Sequence, residues 1–173
     1  KFKKSGLIPP FSVETNEDQI TGMYKGVQLQ LFETYLQKWK YRGKRRYLVS
    51  VFNGLIIVLN MNKDFSGKTL VKQDRGSVSN WFGNRSSGLE NVKLEDPKFE
   101  EFFEVYSTDQ IEARYLLTVS FMERLLELAE IFDNAEIQLC FEDNKLLMTI
   151  PLRKPIFEPG PITEPENFVD DAQ

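Results

Sequence analysis

The chain has no histidine. That removes the commonest general base and the commonest metal ligand in proteins. It has one cysteine, Cys140, so no internal disulfide can form. A single thiol without an imidazole cannot build a structural zinc site. Nucleophilic catalysis needs an activating base, and no spacing of Lys or Asp singles out a substitute. Long apolar runs are missing too. A membrane span needs roughly 18 such residues, and the longest run here, Leu55 to Leu59, has strand length. Nor is there an excess of positive charge: the net charge is −4, whereas a nucleic-acid-binding domain is usually basic. No glycine spacing suits a phosphate-binding loop. The chain is therefore expected not to be an enzyme, to carry no cofactor and no metal, and to leave nucleic acid aside except at a local basic patch. Its first residue is Lys rather than Met, so it is expected to be a piece of a longer protein.

What is present is a phenylalanine-rich globular composition. A length of 173 residues fits one domain, and 14 Phe point to a core filled by rings. Residues 1–155 read as that domain. Residues 156–173 read as an extended, acidic, proline-rich tail.

Strand signals dominate the first third. Ile20 to Leu36 reads as strand pairing with a turn or bulge at Gly26, after which Val27, Leu29 and Leu31 alternate with Gln28 and Gln30. Tyr47 to Leu59 reads as a second strand region, interrupted at Asn53-Gly54 by an expected bulge. Its last part, Leu55 to Leu59, is apolar on both faces and reads as a covered central strand. Between these regions lie Lys38, Trp39, Lys40, Tyr41, Arg42, Gly43, Lys44, Arg45 and Arg46, expected to form a hairpin tip. Two readings stand side by side. The cations and rings meet an anionic partner (lipid headgroups, nucleic acid or an acidic protein), or they form a solvated tip that discourages edge aggregation.

Residues 74–88 show no periodicity, and long loops of this kind are often functional. Trp81 and Phe82 sit inside this stretch, either tucked back as an anchor or facing a partner.

The helical part follows. Asp96-Pro97 starts a short helix whose stripe is Phe99, Phe102 and Phe103. Ser107-Thr108-Asp109-Gln110 has the form of a capping box, with Ser107 as the cap. Thr118 caps an amphipathic helix over Val119 to Asp133, with Phe121, Leu125, Leu128 and Phe132 on one face. Glu112 and Arg114 lie between the last two helices. They are read as a partly buried ion pair clamping the junction, or as ligand contacts. Glu95, Asp96, Glu100, Glu101 and Glu104 lack the spacing of a calcium loop.

Ala135 to Leu152 reads as a hairpin about Asp143-Asn144, both residue types that tolerate positive φ. That register pairs Glu142 with Lys145, Phe141 with Leu146 and Leu139 with Met148, and sets Cys140 opposite Leu147 as a packed small residue. The expected fold is α+β: a curved antiparallel sheet of about six or seven strands packed against one main helix, with one or two short helices and a closing C-terminal hairpin.

The run E-D-P-K-F-E-E-F-F-E-V-Y-S-T-D-Q-I-E-A-R-Y-L-L-T-V-S-F-M-E-R-L-L-E-L resembles a prokaryotic domain family of unknown function, some members of which carry the label "galanin". The likeness extends to S-G-L-I-P-P-F, F-N-G-L-I-I-V-L, F-S-G-K-T and I-F-E-P, from about Ser5 to Pro159. Val119 stands where the family often has proline, and the acidic tail replaces a further helical segment. The resemblance implies hydrophobic membrane-spanning helices ahead of this domain, and so a place on the cytoplasmic side of a bacterial inner membrane. It supplies no activity and no functional residues. Together these observations lead to the expectation of a non-catalytic interaction domain with an unidentified protein partner. Binding of anionic lipid through the basic tip is the alternative, and an enzyme of unknown class is a second.

Overall fold

A computed structural model describes residues 5–73, 88–154 and 156–157. The elements in chain order are β1 (Val13–Tyr24), β2 (Val27–Arg42), β3 (Arg45–Asn60), β4 (Thr69–Gln73), β5 (Glu90–Val92), α1 (Pro97–Phe102), β6 (Phe103–Ser107), α2 (Gln110–Leu116), α3 (Val119–Ile131), β7 (Gln138–Glu142) and β8 (Lys145–Pro151). All eight described strands join one sheet in the order β1-β2-β3-β8-β7-β4-β6-β5, and every pairing in it is antiparallel.

The expected sheet on one main helix is overturned. The described residues are mostly antiparallel sheet, and the helices among them are few, with six, seven and 13 residues. The cover on the helical face is shared. Phe99 of α1, Ala113 and Leu116 of α2, and Met122, Leu125 and Ala129 of α3 all enter one buried cluster with Val71, Leu139, Phe141, Leu146 and Ile150 of the sheet. A second cluster occupies the opposite face. There Leu36, Ile56, Leu70, Cys140 and Leu147 are covered by Leu7 and Ile8 of the N-terminal segment. Two-sided burial explains why Leu55 and Ile56 are both nearly inaccessible: one points into each cluster.

Local signals set several boundaries. The Asp96 carboxylate accepts from Lys98 N–H and Phe99 N–H, with Pro97 opening α1. Phe99 and Phe103 are buried, while Phe102 turns out to be 37% exposed, because the helix ends there and β6 begins. The cap of α2 is Asp109, which accepts from Ile111 N–H and Glu112 N–H, rather than Ser107. Ser107 is drawn into the sheet, where its hydroxyl lies 2.8 Å from that of Thr69. Thr118 caps α3 through Phe121 N–H. The Asp143-Asn144 turn has both residues at positive φ, and the register of β7 on β8 is the expected one.

Gly54 is not a bulge. The register shift lies between Leu36 and Gln37, where β3 steps over Val51. Gly54 is continuously paired with Thr34 on one side and Pro151 on the other. A Cβ there would overlap the Ile150 carbonyl oxygen and come 2.8 Å from Pro151 Cα, at a φ of +156°. Glycine thus admits the β8 backbone to the centre of the sheet. Gly54→Ala is expected to lower stability by about 3 kcal/mol, because backbone atoms must move to accept the methyl. Gly22→Ala, with open space around it, is expected to change little. Chemical denaturation of the two variants beside the parent checks the contrast.

Candidate functional site

The outer half of the β2–β3 hairpin outruns the sheet. On the β2 side, β1 support ends where Val13 pairs with Gln37 and Ser12 N–H donates to Gln37 O at 2.7 Å. Trp39 N–H then donates to Ser12 Oγ at 3.3 Å. On the β3 side, β8 ends opposite Gly54, and Leu152 N–H donates to Asn53 O. Beyond these points only β2 and β3 pair with each other, to Arg42 opposite Arg45 across a Gly43-Lys44 turn with Gly43 at φ +62°. At about 3.4 Å per residue, the projecting ribbon is roughly 20 Å long.

Register assigns its side chains to faces. Lys38 opposes Val49, Lys40 opposes Tyr47 and Arg42 opposes Arg45, so four cations share one face. This face continues the one that carries Phe32 and Leu36 into the second cluster. On the other face Trp39 opposes Leu48 and Tyr41 opposes Arg46. The Arg46 guanidinium sits 4.7 Å from the Trp39 ring centroid, a cation–π contact. Lys44 is in the turn. Tyr41 is 72% exposed, and among the described residues none of the six cations is paired with a carboxylate. Like charges directly opposite one another weaken a hairpin, so this arrangement does not serve folding. A single lysine would be enough to discourage edge pairing. The ribbon therefore brings together Lys38, Trp39, Lys40, Arg42, Lys44, Arg45 and Arg46, as their spacing suggested. Trp81 and Phe82 lie outside the described residues.

Glu112 and Arg114 do not pair with each other. The Glu112 carboxylate accepts Ser66 N–H at 2.9 Å and Gly67 N–H at 2.7 Å, one on each oxygen. It thereby ties the turn before β4 to the first turn of α2. Lys68 N–H donating to Thr108 Oγ1, and Thr108 N–H donating to Lys68 O, close the same junction. Arg114 donates to Gln110 O within its own helix and to Lys93 O after β5. Both residues are fasteners between the sheet and α2. Three residues of the acidic run are committed as well. Glu100 accepts Leu94 N–H and meets Lys93 at 2.9 Å, Asp96 caps α1, and Glu104 meets Lys72 at 3.2 Å.

One residue went unremarked in the sequence. Glu33 is 3% exposed and accepts from the amides of Ile156 at 3.0 Å and Phe157 at 3.3 Å. Its signal is a carboxylate at an inward position of a strand otherwise lined with apolar residues. A cleft of 630 Å³ lies on the second face, with Cys140 in its floor and Gln28, Gln30, Asn60, Glu142 and Lys145 around it. Burial pushes the Cys140 thiol up to about 12, against a smaller opposing pull from Lys68. It is a packed, protonated side chain.

Residues 50–172 match the sequence model of a family described as "Protein of unknown function (DUF3137)". No curated protein matches the chain. Among solved structures, the crystal structure of the mycobacterial trehalose monomycolate transport factor A, TtfA, is similar at 14% identity and a TM-score of 0.46. The likeness covers 80% of this chain and 61% of that one, so the chain spans less than two thirds of its neighbour.

Three outcomes follow from these side chains. Glu112→Ala leaves two backbone donors without their charged acceptor, and is expected to cost about 2 kcal/mol in a denaturant titration. Cys140 is expected to resist thiol reagents at pH 8 until the chain unfolds. Between about pH 9 and 12 the unfolded chain releases the thiol proton and the folded chain keeps it, so stability falls as pH rises through that window. Labelling kinetics with and without denaturant check the thiol's resistance, and melting at a series of alkaline pH values checks the fall in stability.

Proposed function

We propose, for a chain that belongs to the DUF3137 family of proteins of unknown function, a role as a non-catalytic interaction domain that grips an acidic partner surface with its β2–β3 ribbon. One observation carries this reading: six cations and three aromatic residues are held on a two-stranded arm that no described carboxylate neutralises. Such an arm adds its own electrostatic cost to folding, and an anionic partner relieves it. The arginines fit planar carboxylates or phosphates, and Trp39 and Tyr41 supply contact area between them. By its family resemblance the domain would be the cytoplasmic part of a membrane-anchored bacterial protein. Among the described residues no helix is long and apolar enough to cross a membrane, so on this reading the anchor lies elsewhere in the parent protein.

A second reading, contact with anionic lipid headgroups, is favoured by the exposure of Tyr41 and Tyr47, at 72% and 44%, beside the cations. Amphipathic rings of this kind settle at headgroup depth while neighbouring Lys and Arg meet the anionic surface.

The two readings separate in one set of measurements. A photo-crosslinking residue at Tyr41 is expected to give a discrete protein adduct in cells. The Arg45→Glu, Arg46→Glu double variant should reduce that yield at least tenfold. An adduct that forms equally well in the double variant would sink the ribbon reading. If no protein adduct forms and phosphatidylglycerol vesicles instead co-sediment the domain, with binding lost at high salt and in the same double variant, the lipid reading replaces it.

A further inference from the structure

The outer edge of β1 is the longest unpaired backbone edge among the described residues. β1 stands at one end of the sheet order, and the other end is the three-residue β5. A long free edge is a template for another strand, and proteins normally blunt one with charge, proline or a bulge. β1 is blunted over its first half only. Glu14 and Asp18 carry charge there, and the register slips between Asn16 and Asp18. From Gln19 to Tyr24 there is no charge, no proline and no irregularity, while Ile20, Met23 and Tyr24 are 45%, 74% and 66% exposed. We propose that this edge pairs with β1 of a second copy of the chain, antiparallel about a two-fold axis at Thr21.

The register follows from the limits of the ladder. Its regular part runs from Asp18, just past the slip, to Tyr24, just before the Lys25-Gly26 turn. A two-fold axis normal to a sheet must set one residue opposite its own copy, because opposed side chains share a face. The residue at the middle is Thr21. This register sets Ile20 opposite Gly22, Gln19 opposite Met23 and Asp18 opposite Tyr24 of the second copy.

The shapes and charges suit it. Ile20 and Gly22 lie on the helical face, opposite Leu31 and Leu29 of β2. No heavy atom lies within 4 Å of where a Cβ on Gly22 would stand. Each isoleucine therefore fills the open space over the other copy's glycine. The Asp18 end of each strand meets the Lys25 end of the other, so these charges attract, whereas a parallel arrangement would set like against like. The ladder is short, so the dimer belongs among interfaces below about 1,200 Å², which are weak and concentration-dependent.

Sedimentation equilibrium across the micromolar range is expected to show the mass rising from one chain to two. Ile20→Lys should return it to one chain, with association weakened at least tenfold and the melting temperature unchanged. Should that variant melt early, Met23→Lys, at the more exposed position, makes the same test. Thr21→Cys should give a disulfide-linked dimer under mild oxidation and Gln19→Cys should not, since only position 21 faces its own copy. A one-chain mass at every concentration overturns the proposal. So does a dimer that survives both lysine variants, or cross-linking that is equal at positions 19 and 21.

Discussion

The close approach of Gly54 to the β8 backbone is the constraint from which the rest of the architecture follows. β3 serves two assemblies at once. Its second half, from Gly54 to Asn60, is the seam where the C-terminal hairpin joins the sheet, and its first half is one strand of the projecting ribbon. The absence of a side chain at one position lets β8 reach β3. Through that seam β7, β4, β6 and β5 are connected to the N-terminal strands, and the buried clusters on both faces become continuous across the sheet. The ribbon therefore has a rigid root, and its tip is free of the contacts that hold the root.

That division organises the electrostatics as well. Three carboxylates of the body are matched to backbone donors or to a lysine: Glu112 to the turn before β4, Glu33 to the chain after β8, Glu104 to Lys72. Such pairing keeps the desolvation of a charge from becoming a net cost. The ribbon follows the opposite rule, with cations grouped and left in water, where solvent screens their repulsion but an incoming anion displaces that solvent. The contrast between the matched carboxylates at the joints of the body and an arm whose cations meet no carboxylate among the described residues is the physical content of the functional reading.

Much of this was legible where the controlling interaction is local. Asp96-Pro97 announces a helix start because cap and proline act on the next few residues. Asp143-Asn144 announces its hairpin register because a two-residue turn leaves no other pairing. The basic tip was readable for the same reason, with Gly43 between two alternating runs. What escaped is non-local. The Ser107 hydroxyl reads as a cap from its neighbours alone, because nothing near it in sequence reveals Thr69, which claims it from another strand. Glu112 was expected to pair with Arg114, two residues away, but its partners lie on the turn before β4. The strong period of α3 points to one main helix, whereas the sheet is made large by pairings such as β3 with β8 that leave no local trace.

The same seam has a consequence in time. β3 is synthesised early, and its pairing partner β8 is completed only near the end of the described chain. At roughly 5–20 residues per second, the apolar segment Leu55–Leu59 waits on the order of ten seconds with one edge unsatisfied. During that interval a nascent chain holds the meander β1–β2–β3, an uncovered strand of five aliphatic residues, and the cationic arm beside it. Such a segment is aggregation-prone by its composition until β8 arrives to cover its free edge.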